Sequence, residues 1–111
     1  MKLYGLKNCD TCKKALKSLA QAGIEVEFID VRADGVPLDE LLVFLETFGD
    51  KLVNTRSTTW RGLSAEARSK PALTLLQAHP TLMKRPVIRI GPTLFLGWND
   101  TVQKSLLGDP A

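Results

Sequence analysis

Between Asp10 and Ala22 the apolar residues fall at Cys12, Ala15, Leu16, Leu19 and Ala20, the i, i+3, i+4 spacing of one helix face. Gly23 stands where a left-handed residue commonly ends a helix. On both sides of this stretch the period changes. Lys2 to Leu6 reads as a short strand. Ile24 to Val31, "IEVEFIDV", puts Ile24, Val26 and Phe28 on one face and the glutamates on the other, the mark of a strand with one wet face. The chain therefore opens as strand, helix, strand, a right-handed βαβ unit if the strands are parallel.

"RADGVP" reads as loop. A second helix is expected over Leu38 to Phe48, with Leu41, Leu42, Phe44, Leu45 and Phe48 as its apolar stripe and Gly49 at its end. Residues 50 to 85 carry a weaker pattern. Ser64 is a helix cap before "AEARSK", and Pro71 opens a helix through Ala78 with Leu73 and Leu76 facing inward. Val87 to Ile90 and Thr93 to Leu96 flank Gly91-Pro92, a hairpin signal. Asn99 or Asp100 caps a last helix carrying Val102, Leu106 and Leu107, closed by Gly108. The order is βαβ, a helical insertion over about 36–82, then ββα. This is the α/β, thioredoxin-like arrangement with a four-stranded mixed sheet, in one domain over residues 1–111.

Composition agrees with that class. The 111 residues are 44% hydrophobic and 24% charged, which suits one soluble globular domain. No apolar run approaches the ~20 residues of a membrane span. Met1 to Gly5 leaves no room for a secretory signal, so the expected location is cytoplasmic. The net charge of +3 comes without a basic run or stripe, so neither nucleic acid nor membrane is an expected partner.

The chemistry concentrates in "KNCDTCKKAL", residues 7 to 16, which holds both cysteines of the chain. In a reducing compartment such a C-x-x-C is catalytic or metal-binding rather than a structural staple. Cys9 falls between the first strand and the first helix, at the C-terminal edge of a parallel strand, where open α/β sheets place their sites. It also stands at a helix N-terminus, where free N–H groups and the helix dipole favour an anion. Thiols so placed have pKa values lowered from ~8.5 to as little as ~3.5. Cys9 is thus the candidate nucleophile. Cys12 lies one turn on, close enough to resolve a mixed disulfide on Cys9. It also lies on the apolar stripe, and free cysteine is among the most buried residue types. Both readings of Cys12 stand. A metal site would need further ligands; there is no second cysteine pair, and His79 is the single histidine, at a helix end.

Two stretches elsewhere bear cations in unusual company. "NTRSTTW", residues 54 to 60, sets Arg56 among small polar residues, and "MKRPV", residues 83 to 87, sets Arg85 before a proline that leads into a strand. Read alone, Arg56 is a solvated loop charge and Arg85 a strand-edge charge. Taken together, "LYGLKNCDTCKKA", "NTRSTTWRGL", "LMKRPV" and "LFLGWND" resemble the ArsC/Spx/YffB family, and YffB-like members most of all, over almost the whole chain. The resemblance implies a thioredoxin-like fold with a helical insert. It implies Cys9 as catalytic thiol, Arg56 and Arg85 as oxyanion-binding arginines, and Pro86 as a cis-proline facing the thiol. Asn8, inside the thiol motif, joins the anion-binding candidates.

The chain departs from the family pattern in three places. Arsenate reductases of this type carry a third arginine in the terminal hairpin, where this chain has "TLFLGW" with Gly97 or a neighbour in its place. This weakens arsenate as substrate. YffB-like proteins usually carry the first cysteine alone, whereas Spx-type regulators carry C-x-x-C. Spx-type proteins also have a basic segment past the last helix, which this sequence lacks. The resemblance therefore implies a thiol-dependent reductase that binds no tight cofactor and uses glutathione as co-substrate. Its substrate is expected to be a small anionic thiol or oxyanion, with glutaredoxin as a partner. The alternative is a redox-sensing regulator that binds RNA polymerase.

Overall fold

The elements follow one another as β1 (Lys2–Gly5), α1 (Asp10–Gln21), β2 (Glu27–Asp30), α2 (Leu38–Phe48), α3 (Thr58–Arg61), α4 (Ala65–Arg68), α5 (Ala72–Ala78), β3 (Val87–Ile90), β4 (Thr93–Leu96) and α6 (Asp100–Leu107). Single 3₁₀ turns follow α2 at Gly49–Leu52 and α5 at Pro80–Leu82. The structure, a computed structural model, describes residues 1–108. These fall into two units: Met1–Asp30 together with the chain from Arg85 onward, and Val31–Lys84.

In the first unit the four strands form one sheet in the order β2-β1-β3-β4. β1 and β2 are parallel, so the connection through α1 is the expected βαβ crossover, while β3 runs antiparallel to both β1 and β4. The two β-rich runs and their Gly91-Pro92 turn form the expected hairpin, with Ile90 opposite Thr93. β2 begins at Glu27 rather than Ile24. Among the described residues its strand partner is β1, which begins at Lys2, so residues 24–26 lie beyond the start of that ladder.

The pleat sends alternate β1 residues to opposite faces. Leu3, paired with Ile88, packs with Ala15 and Leu19 of α1 and Val102 of α6 into a closed core. Each fully buried Leu or Ile in such a core contributes about 1.5–3 kcal/mol. The α1 stripe is therefore real, but Ala20, at its edge, is exposed. Gly23 takes φ +76° and ends α1, its N–H donating to the Ala20 carbonyl. Asn99 is the cap of α6, its Oδ1 accepting from the Val102 N–H at 2.9 Å.

The second unit is helical. Leu41 and Phe44 of α2 are buried, with Leu45 and Phe48 half-buried beside them. These four lie i, i+3, i+4 and i+7 apart, and that narrower stripe leaves Leu42 on the outer side, 47% exposed. In α5 the buried pair is Leu75 and Leu76; Leu73 is only half-buried. Ser64 caps α4 as expected, accepting from the Ala67 N–H at 3.1 Å. The extra helix α3 is capped in the same way by Ser57, which accepts from Trp60 N–H at 3.1 Å. Arg68 ties the α3 and α4 segments together: its guanidinium donates to the Trp60 and Arg61 carbonyls and lies 5.4 Å from the Trp60 ring centre. No helix among the described residues is long and apolar enough to cross a membrane.

Candidate functional site

β1 ends at Gly5, and the chain turns through Leu6 to Cys9, whose N–H donates to the Leu6 carbonyl at 3.2 Å. Cys9 is extended, with φ −88° and ψ 119°, and its own carbonyl accepts from Lys13 N–H at 2.9 Å. It is therefore the N-cap of α1, the residue toward which the unpaired N–H groups of the first turn point. Its sulfur closes no capping bond of full geometry, yet the Cys12 N–H acts on it strongly enough to favour its charge. Cys9 is half-buried, and Asn8 beside it is exposed.

Arg85 reaches this place through the sheet. β3 is antiparallel to β1, with Val87 opposite Tyr4, so the residues just before β3 emerge at the end of β1 where Cys9 lies. The Arg85–Pro86 peptide is cis. Pro86 is buried, and its carbonyl accepts from Gly97 N–H at 2.8 Å. The Arg85 guanidinium lies near the Cys9 sulfur, and its positive charge favours the thiolate.

Cys12 completes the cluster and differs sharply from its neighbour. It is fully buried, and both cysteines are free thiols. Burial pushes the Cys12 thiol up to about 11; the Leu6 N–H opposes the shift, the neighbouring Cys9 sulfur adds to it, and Arg85 opposes it weakly. For Cys9, partial burial also works against the charge. The Cys12 N–H, the Cys12 thiol and the Arg85 guanidinium together outweigh it, and the Cys9 pKa is lowered. Two thiols of the same intrinsic acidity are thus driven apart, one toward thiolate and one toward a neutral S–H donor. Such a pair can attack an electrophilic sulfur or oxyanion centre through Cys9.

Arg56 belongs to the second unit. It is exposed on the loop before α3, where its N–H donates to Asn54 Oδ1 at 3.0 Å. The Asn54 carbonyl in turn accepts from Ser57 Oγ at 2.8 Å, so the loop is a closed local turn. His79 is the C-cap of α5. Among the described residues no group of three His, Cys, Asp or Glu side chains is placed to hold a metal ion.

Sequence reasoning singled out neither Gly5 nor Leu6. A Cβ built on Gly5 would stand 2.5 Å from Cys12 Sγ, so the strand backbone approaches the thiol at that point. The available signal was a glycine inside a strand pattern, which often marks such an approach.

The chain is similar to known proteins along most of its length. The chain is 46% identical over 103 residues to an uncharacterised protein of Haemophilus influenzae, covering 88% of this chain and 90% of that one. It is 30% identical over 104 residues to the global transcriptional regulator Spx of Listeria innocua, covering 88% of this chain and 79% of the regulator. The solved structure of the YffB (PA3664) protein superposes with a TM-score of 0.88 at 30% identity, over 96% of this chain and 97% of that one. A family model described as the ArsC family matches residues 4–105, and with the thiol, the cis-proline and the mixed sheet in place, the chain belongs to the ArsC family.

Proposed function

We propose that this protein is a thiol-dependent reductase of the ArsC family that works with glutathione, with Cys9 as the nucleophile. The observation that carries the reading is the convergence of the α1 N-terminus, the Cys12 thiol and the Arg85 guanidinium on one half-buried sulfur. In the first step the Cys9 thiolate attacks the glutathione sulfur of a glutathione mixed disulfide. The Cys9–S bond forms, the S–S bond breaks, and the released thiolate takes a proton from water. A second glutathione then attacks the mixed disulfide on Cys9, leaving glutathione disulfide and the Cys9 thiolate. The guanidinium fork of Arg85 suits the carboxylate or oxyanion of the substrate. Arg56 enters as a second anion-binding arginine, and Asn8 as a polar neighbour, on the family resemblance. Such chemistry belongs in a reducing compartment, the cytoplasm, with glutaredoxin as a partner in recycling. Arsenate is the narrower substrate, weakened by Gly97 or a neighbour at the place of a third arginine.

The test is reduction of the mixed disulfide of glutathione and 2-mercaptoethanol, and of arsenate, each followed by glutathione disulfide production. Turnover with either substrate that vanishes in Cys9→Ser supports the reading. Turnover that survives Cys9→Ser, or no turnover with both substrates, overturns it.

A second reading rests on the two adjacent thiols and on the Spx relatives. In it the pair is a redox switch on a regulator that binds RNA polymerase. Capture of the polymerase α subunit by the reduced or the oxidised protein, with no glutathione-linked turnover, would favour it.

A further inference from the structure

We propose that Gly5 is a positioning residue that seats the Cys12 sulfur, and that the missing side chain at Gly5 is what holds that sulfur in place one helical turn from Cys9. The inference rests on the reading of Cys9 as the working thiol and extends it to a residue in the sheet.

Three observations define the seat. The Cys12 sulfur packs against the end of β1, where a Cβ on Gly5 would stand 2.5 Å from Sγ, closer than real Cβ atoms approach any heavy atom. The next residue, Leu6, presents its backbone N–H to the same sulfur. Cys12 itself is fully buried, one of the three buried residues of α1 with Ala15 and Leu19. Gly5 carries no left-handed φ, in contrast to the six other glycines that do, so backbone freedom does not explain a glycine there. Space for the sulfur does.

The consequence reaches Cys9. Any residue with a Cβ at position 5 must push Sγ out of the seat, and a thiol one turn along a helix has few other staggered positions. Moving it takes away a neighbour that favours the Cys9 thiolate and leaves that thiolate with the Arg85 guanidinium and the first-turn N–H groups. The other contacts of the same Cβ, to Cys12 Cβ and Leu3 Cδ2, are both 3.4 Å, ordinary van der Waals distances. The conflict is therefore with the sulfur and not with the strand.

A two-by-two set tests this: wild type, Gly5→Ala, Cys12→Ala and Gly5→Ala/Cys12→Ala. The readout is the rate of Cys9 alkylation by iodoacetamide from pH 5 to 8, with thermal stability alongside. Neither readout needs a substrate, so the result is independent of whether the protein proves to be a reductase. In the Cys12-containing background, Gly5→Ala should slow alkylation below neutral pH by about tenfold, the change in thiolate fraction that one pKa unit produces. In the Cys12→Ala background the same change should have no effect. Equal effects in the two backgrounds, or no effect in either, overturn the proposal. If Gly5→Ala alone does not fold, stability becomes the readout. A double variant as stable as Cys12→Ala supports the seat, and a double variant that is also unfolded overturns it.

Discussion

Cys12 lies one helical turn from Cys9 with its own sulfur sealed from water, and the two thiols shift in opposite directions, Cys9 toward thiolate and Cys12 toward the neutral form. The helix turn supplies the spacing. Burial against the end of β1 supplies the asymmetry. Arg85, arriving through an antiparallel strand, adds the positive charge that tips Cys9 toward thiolate.

The first consequence is a low first titration. Thiolate absorbance against pH should show one transition below that of a free cysteine, absent in Cys9→Ser and moved upward in Arg85→Met, which removes the neighbouring positive charge. A lowest transition that survives Cys9→Ser would assign the acidic thiol elsewhere.

The arginines should respond to shape as well as to charge. Arg85→Lys keeps a positive charge and loses the fork, so affinity for a carboxylate or oxyanion should fall by roughly 5- to 30-fold, about 1–2 kcal/mol. The fold should survive, because Arg85 is not in the buried core. Calorimetric titration with glutathione and arsenate checks this, and Arg56→Lys runs beside it. Wild-type affinity in Arg85→Lys removes that residue from anion binding.

Oxidation should distinguish the two roles of Cys12. A thiol at about 11 is ionised in only about one molecule in ten thousand at pH 7, and the thiolate is the attacking species. Oxidised glutathione at pH 7 should therefore leave a stable adduct on Cys9 with Cys12 free. Raising the pH toward 10 should replace the adduct by an intramolecular disulfide. Mass spectrometry separates the products. A loss of two hydrogens at pH 7, complete before any adduct accumulates, would make Cys12 a fast resolving thiol.

Stability should carry the same signature. The Cys12 thiol is an acid whose folded-state value is raised from 9.0 to about 11. Below pH 9 the thiol is protonated in both folded and unfolded chains, and its full contribution is present. Between pH 9 and 11 the unfolded chain releases the proton first, and that contribution is lost, on the order of 2 kcal/mol by pH 11. Cys9, shifted the other way, contributes above its unfolded value and loses that contribution as pH falls through its folded value. Urea denaturation across pH 8–11 should show a steeper loss in wild type than in Cys12→Ala. Parallel curves would mean that Cys12 is not held neutral.

What the sequence determined by itself is local. The i, i+3, i+4 rhythm of α1, the alternation around β2, the Gly91-Pro92 hairpin and the caps at Ser64 and Asn99 are short-range patterns, and each appears at or near its expected place. The C-x-x-C spacing and its position before a helix were equally plain, because a helix N-terminus is set by neighbouring residues. Tertiary packing decided the rest. Which edge of a stripe faces inward depends on the partner, so Ala20 and Leu42 are exposed and Leu75 replaces Leu73. The length of β2 depends on where β1 begins. Above all, the meeting of Arg85 with Cys9 depends on the antiparallel pairing of Tyr4 with Val87, and the seat of the Cys12 sulfur on the missing Cβ of Gly5. Neither follows from local propensity, because sheet pairing and close packing are made between segments far apart in the chain, where no periodicity can report them.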